Sequence, residues 1–355
     1  MKGTSLAVSA LALLLGIGAV GCSAEKRGAS TAPVAAAVTP AVPERLTLQV
    51  AAREFHRFVN NEDVARASGD ERLALQWVSD GQSALTAAEY RHAVFHDEPL
   101  PRYEYVEPVF YVPKLSEDTY PQWFVVSAER RVRPPEGERA EEDGSRTVLM
   151  AFIRRSPEAG WTLSLLTTLK EKAEPPKIAL DAEGYATAVL TGETDLLIPP
   201  KSVAGIQAGI AEEGPDSVQA RLMKPGVGTT AYYHETRRIK KEAEKSDLAF
   251  DVVFPATMHP VFALRTVDGG ALVLYALGRD TVTLAKDQSR RPPIPTEAAH
   301  LLDSLILGNE LHVSQTLQFA AYDPPKAKPK KPQPKAEVIA TDGAVTRAYS
   351  PQKVN

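Results

Sequence analysis

His92 and His96 are four residues apart in a stretch with helical periodicity, so both imidazoles can face the same side of one helix, close to Glu89, Asp97 and Glu98. Two imidazoles and a carboxylate are zinc-binding chemistry. The glutamate of a His-Glu-x-x-His hydrolase is missing, because Ala93 follows His92, and spacing identifies no third ligand. A helix end with surface histidines accounts for the same residues, so no metal site is expected. His234 beside Glu235, after Tyr232 and Tyr233, and His259 before Pro260 have the side chains for acid and base catalysis, but their spacing brings no partner to them. Ser79, Ser83 and Ser164 lie outside any Gly-x-Ser-x-Gly elbow, and no cysteine follows Cys22. Gly226-Val227-Gly228 lacks the Gly-Lys-Ser/Thr of a phosphate loop and reads as a turn. The expectation is therefore a protein without catalytic residues, cofactor or metal.

Two remaining groups suggest binding. Tyr103, Tyr105, Phe110, Tyr111, Tyr120, Trp123 and Phe124 concentrate aromatic area that can line a ligand pocket or fill a core. Lys326, Lys328, Lys330, Lys331 and Lys335 form a dense basic run interleaved with proline, suited either to an anionic surface or to a solvated loop. The formal charge of −4 over 355 residues gives no overall field for nucleic acid.

The start of the chain gives an address. Lys2 precedes an apolar run from Leu6 to Val20 that is too short to span a bilayer, and Gly21 stands directly before Cys22, the single cysteine. Ala19-Val20-Gly21-Cys22 resembles the bacterial lipobox, departing from it at Ala19, where leucine is commoner. That resemblance implies cleavage after residue 21, diacylglycerol on Cys22 and a membrane anchor on the extracytoplasmic face. A plain secretory signal, with Cys22 left as a free thiol or removed with the leader, is the alternative. Without further cysteines the mature chain forms no internal disulfide.

The elements that must position the candidate residues follow from periodicity. Residues 22–44 are rich in Ala, Ser, Thr and Pro and read as a flexible tether. Leu48, Ala51, Ala52, Phe55, Phe58 and Val59 mark a helix over 46–63; further helical segments are expected over 71–81 and 86–95, the last opening on a Thr86/Glu89 capping box. Aromatic and β-branched runs near 103–111, 123–126, 148–153 and 161–166 predict four strands, with a long hairpin loop over 131–145. The break at Lys170–Lys177 suggests a domain boundary, giving an α+β domain over 45–172, a linker over 173–179 and a second α+β domain over 180–355.

In that second part, a helix over 199–213 ends at Gly214. Strands follow at 248–254, 261–267 and 271–277, the last two joined through Asp268-Gly269-Gly270 and the last extended by 281–284. A short helix at 297–306 precedes strands at 311–322 and 337–349, so that the Lys/Pro segment 324–335 becomes a loop between neighbours.

The segment Pro176-Lys177-Ile178-Ala179-Leu180-Asp181-Ala182-Glu183-Gly184-Tyr185-Ala186-Thr187-Ala188-Val189, with the leader, resembles a family of lipoproteins of unknown function from high-GC Gram-positive bacteria. The resemblance brings no catalytic residues. Helices followed by antiparallel strands also resemble the cone-shaped nuclear-transport-factor-two-type and cystatin-like folds, in which a curved sheet often leaves a pocket. Together these features predict a lipid-anchored cell-envelope protein that binds or scaffolds an envelope partner. A small-ligand-binding lipoprotein with a pocket in the first domain, and an envelope enzyme assembled by folding, are the alternatives.

Overall fold

The computed structural model describes residues 44–134, 144–302, 308–328 and 332–351. The leader, most of the tether, Cys22, Lys330 and Lys331 lie outside them. Three helices come first: α1 (Leu48–Ser68), α2 (Glu71–Leu75) and α3 (Asp80–His96). The Thr47 hydroxyl caps α1 by accepting from the Val50 amide, and Gly69 ends it at φ 65°, a left-handed conformation that glycine adopts without strain. Asp70 caps α2 through the Leu73 amide. The expected capping box does not start α3, which begins two turns earlier with Ser79 at its N-cap; Thr86 is buried within the helix and Glu89 faces an arginine.

Four strands follow as expected: β1 (Tyr103–Tyr111), β2 (Gln122–Val132), β3 (Arg146–Arg154) and β4 (Thr162–Leu169). Then come α4 (Pro200–Glu213), closed at Gly214, α5 (Thr230–Lys245), β5 (Leu248–Val253), β6 (Phe262–Arg265) and β7 (Ala271–Ala285). A 3-10 turn (Thr296–Leu301) leads to β8 (Glu310–Asp323) and β9 (Glu337–Tyr349). Helix α5 has no counterpart among the sequence expectations. Its apolar stripe is thin, since half of its length is Arg, Lys and Glu, so composition hides the helix. The hairpin through Gly269, at φ 85°, and the β8–β9 pairing across the Lys/Pro loop stand as expected.

All strand pairings are antiparallel, and they run without interruption in the order β1-β2-β3-β4-β9-β8-β7-β5, with β6 also on β7. This corrects the expected division into two separate domains. A four-stranded sheet ending at β4 would leave a row of unpaired backbone groups, and β9 pairs with the end of it at Thr168 and Leu169. The expected linker is likewise held down: the Ala179 amide donates to the Arg265 carbonyl, and the Val267 amide to that of Lys177.

The β4–β9 pairing is short, with only Thr168 opposite Thr341 and Leu169 opposite Ala340. Side chains extend it. Gln318 of β8, fully buried, accepts from the Leu166 amide at 2.9 Å, and its own carbonyl accepts from the Thr167 hydroxyl at 3.3 Å. Thr168 donates to the Asp342 carboxylate at 3.2 Å, and the Lys170 ammonium meets the Val338 carbonyl.

Alternation along the strands splits the core. Phe124, Val126, Met150 and Phe152 pack under α1 with Phe55 and Phe58, whereas Val125, Leu149 and Ala151 meet Phe262, Leu272 and Leu274 in a separate cluster. A third cluster packs α4 on Val273, Tyr275, Leu277 and Phe319. There the buried Gln207 accepts from the Tyr275 hydroxyl and donates to the Gly228 carbonyl at 2.6 Å.

Asp323 closes β8 in a fully buried position, with one carboxylate oxygen accepting from the Ile198 amide at 3.2 Å and the other unpartnered. Burial raises its pKa to about 7, against the Ile198 hydrogen bond, which lowers it.

Two outcomes follow. Gln318→Ala leaves the buried Leu166 amide without its acceptor and should cost about 1–3 kcal/mol, read as a lowered midpoint in urea unfolding; an unchanged midpoint would mean that the seam does not need this side chain. Because Asp323 binds its proton more tightly folded than unfolded, its contribution to stability falls as pH rises from about 4 to about 7 and is constant above. Asp323→Asn should therefore raise the melting temperature at pH 8 and lose that advantage toward pH 4. Equal shifts at both pH values would exclude this titration.

Candidate functional site

The helices α1 and α3 stand over the sheet at the seam, and between them lies a cavity of about 220 Å³. Its walls come from both sides of the seam: Phe58, Glu62 and Arg66 of α1, Gln82, Leu85, Glu89 and Tyr90 of α3, Tyr103 of β1, Arg130 of β2, Leu163 and Leu166 of β4, and Asp342 and Ala344 of β9. Trp77, between α2 and α3, is fixed by its backbone, whose carbonyl accepts from the Leu163 amide at 2.9 Å.

The long helix α1 places Glu62 and Arg66 one turn apart on its inner face, and the Arg66 side chain is almost fully buried. Its guanidinium grips Glu89 with two bonds of 2.8 Å, donates to Glu62 at 3.1 Å and reaches the Pro101 carbonyl at 3.2 Å. Glu62 also accepts from the Tyr105 hydroxyl at 2.9 Å. Burial pushes the Tyr105 pKa far up, and the Glu62 charge pushes in the same direction. Such a buried pair is costly to break, because removing one partner strands the other charge. Arg66 thus ties α1 to α3 and holds one wall of the cavity.

The remaining polar groups are less satisfied. The guanidinium carbons of Arg66 and Arg130 each lie 4.6 Å from the centre of the Tyr103 ring. Unlike Arg66, Arg130 has no hydrogen bond or close ion pair among the described residues. Tyr90 is 2% exposed, its hydroxyl has no partner, and burial raises its pKa to about 12, partly opposed by Arg66. The Trp77 indole N–H and the Gln82 amide oxygen are also buried without partners. Across the floor, burial raises the pKa of Asp342, opposed by the charge on Arg130. Among the described residues the cavity therefore offers three donors not otherwise engaged, at Arg130, Tyr90 and Trp77, between apolar and aromatic walls. That arrangement can orient a small molecule rich in oxygen acceptors.

The residues singled out in sequence are placed differently. His92 and His96 have ring centres 4.3 Å apart, and His300 joins them at 5.1 Å from His92. The rings pack on one another, and among the described residues no three His, Cys, Asp or Glu side chains are arranged to hold a metal ion. His259, Ser79 and Ser164 do converge, on Asp80. Its carboxylate accepts from Ser164 at 2.5 Å, Ser79 at 3.1 Å and Arg155 at 2.5 Å, with His259 at 3.9 Å. Here the carboxylate, rather than an imidazole, contacts the serine hydroxyls, which differs from the Ser-His pairing of a hydrolase triad. His234 is exposed beside Tyr233, while Glu235 meets Arg279 at 3.4 Å. A Cβ on Gly228 would stand 2.9 Å from Val338, so close packing explains the glycine.

Of the aromatic group, only Tyr103 lines the cavity. Phe110 packs on Phe55, Phe124 stacks on Phe152 at 4.9 Å, and Trp123 meets Phe262 at 5.4 Å. Lys335 donates to the Ala220 carbonyl at 2.9 Å, and Lys326 and Lys328 are exposed. Sequence reasoning passed over Arg66, Arg130, Trp77, Gln82, Tyr90 and Asp342. One signal was legible: Phe124, Val126, Ala128 and Arg130 share a strand face, so a charge ends a core-facing row.

The relatives are lipoproteins. A family model described as a domain of unknown function, DUF8094, matches residues 42–350. An uncharacterized lipoprotein of Streptomyces coelicolor is 25% identical over 280 residues, 77% of each chain. A second from that organism is 26% identical over 294 residues, 76% of this chain and 75% of its own. One from Streptomyces avermitilis is 28% identical over 159 residues, 44% of this chain and 42% of its own. No solved structure matches, so the likeness to the nuclear-transport-factor-two-type and cystatin-like folds rests on element order alone. Among the described residues no helix is long and apolar enough to cross a membrane.

Proposed function

We propose that this chain, which belongs to the DUF8094 family of actinobacterial lipoproteins of unknown function, binds a small, oxygen-rich molecule in the cavity between α1, α3 and the β4–β9 seam, without catalysing its turnover. The observation that carries this reading is the buried Tyr90 hydroxyl, unpartnered and facing a cavity that also holds the uncommitted donors of Arg130 and Trp77. Leaving a buried donor unused costs free energy that a ligand acceptor returns on binding. The adaptor or scaffold reading looked for a flat aromatic surface. Of the exposed large apolar side chains found among the described residues, Val94 and Phe95 adjoin near the end of α3, while Leu190, Val218 and Met258 stand on separate loops.

The relatives support membrane attachment through lipid. The finer reading is that Cys22 carries the lipid, with the folded body on the extracytoplasmic face of the cell membrane, joined by the tether and exposed to ligands in the envelope.

Native mass spectrometry of the full-length protein purified from its own cells tests the site. A small-molecule adduct should accompany the wild type, disappear in Arg130→Gln, and weaken about tenfold in Tyr90→Phe, the loss of one hydrogen bond. An adduct that survives Arg130→Gln unchanged would place the ligand elsewhere, and no adduct in the wild type would count against a resident ligand. Cell fractionation tests the anchor: Cys22→Ala should leave the membrane fraction, and its retention there would refute lipidation at this residue.

A further inference from the structure

The cavity continues along the sheet. Leu85, Glu89 and Ala344 also line a neighbouring depression of about 480 Å³, whose floor is Ala344 and Val345 of β9 and Gln315 of β8. Gln315 and Glu297 in turn line a third of about 360 Å³, between α5 and β5, β7 and β8. Shared lining residues place the three side by side along β9, β8 and β7. Their character changes along the row, from the donors of Arg130, Tyr90 and Trp77 at the first end to Ile239, Phe250 and Val313 at the far end. Arg130 on β2 and Arg279 on β7 are five strands apart in sheet order, which at about 4.8 Å per strand is roughly 24 Å.

We infer that the ligand of this site is an amphiphile, with its oxygen-rich, acidic head in the first cavity and an extended acyl chain lying along the neighbouring depressions, past Ala344 and Val345 toward Val313 and Phe250. The inference rests on the binding reading above and adds the class of molecule. A compact polar ligand would use the first cavity and leave unfilled the neighbouring depressions, where Val345, Val313, Ile239 and Phe250 supply apolar surface between polar residues such as Glu297 and Gln315. Charge agrees with this polarity: at the head end Arg130 packs on Tyr103 and faces Asp342 but makes no hydrogen bond or close ion pair among the described residues, whereas Arg279 at the far end already faces Glu235 at 3.4 Å and packs by Tyr232 at 5.5 Å. The chain passes where the backbone offers little obstruction, since Gly343 and Ala344 are the small, exposed residues of β9.

The test is a homologous series of saturated fatty acids, from butyrate to palmitate, added to the full-length protein in one non-ionic detergent and read by native mass spectrometry. Micelle partition is then common to all variants. Wild-type affinity should climb by up to about fourfold per added methylene and continue to climb through the long homologues. Ala344→Trp, at an exposed strand position, fills the passage between the first two depressions; in it the climb should stop at short chains and palmitate binding should fall at least a hundredfold. An unchanged melting temperature shows that the tryptophan variant is folded. Arg130→Gln should lower every homologue by a similar factor. A wild-type slope retained in Ala344→Trp, with Arg130→Gln still weakening all homologues, would overturn the acyl-chain path and leave the cavity as a binding site. Wild-type affinity independent of chain length would overturn the amphiphile. A series untouched by Arg130→Gln would overturn the cavity reading itself.

Discussion

The short pairing of β4 with β9 is the contact on which the rest of the molecule depends. Two register pairs would be a weak join between two blocks of strands, and the buried Gln318 strengthens it by acting as backbone: its amide oxygen takes the Leu166 N–H that strand pairing would otherwise satisfy. A side chain in that role stands in for a strand partner, and its own Nε2 is left buried without one. The join matters, since the cavity opens above it and takes walls from β4 on one side and β9 on the other.

A hollow next to a tightly packed core needs struts, because neighbouring side chains would otherwise collapse into it. Arg66 supplies one. Buried and bonded to Glu62, Glu89 and the Pro101 carbonyl, it fixes the distance between α1 and α3 by charge and geometry rather than by contact area. The Tyr103 ring, lying against both Arg66 and Arg130, transmits that rigidity to β1 and β2. At the other end of the helix pair, Gly81 allows α3 to approach β8 closely, since a Cβ there would meet the Thr316 methyl at 3.0 Å. Gln82, the next residue, lines the cavity, so this close approach borders the hollow directly.

Packing also decides where residues of recognisable chemistry come to lie. His92, His96 and His300 spend their surfaces on one another, and Asp80 collects hydroxyls and an arginine that fix the start of α3. Tyr90, Trp77 and Arg130 carry no motif, yet burial beside a hollow leaves their donors available.

Local periodicity and turn chemistry were enough to read most elements. The stripe from Leu48 to Val59 is a helix, the runs from Tyr103 to Leu166 are four strands, Asp268-Gly269-Gly270 is a hairpin, and the prolines of 324–335 separate two paired strands. These features arise within a few residues, where spacing decides which side chains share a face. Helix α5 escaped because its charged surface leaves little apolar signal, and the two-domain division failed because strand pairing is non-local: nothing near residue 168 says that its partner is residue 341. The site is illegible for the same reason. Arg66, Tyr90, Arg130 and Asp342 come from four elements separated by up to 276 residues in the chain, and only the closure of β9 onto β4 turns them into one set of walls.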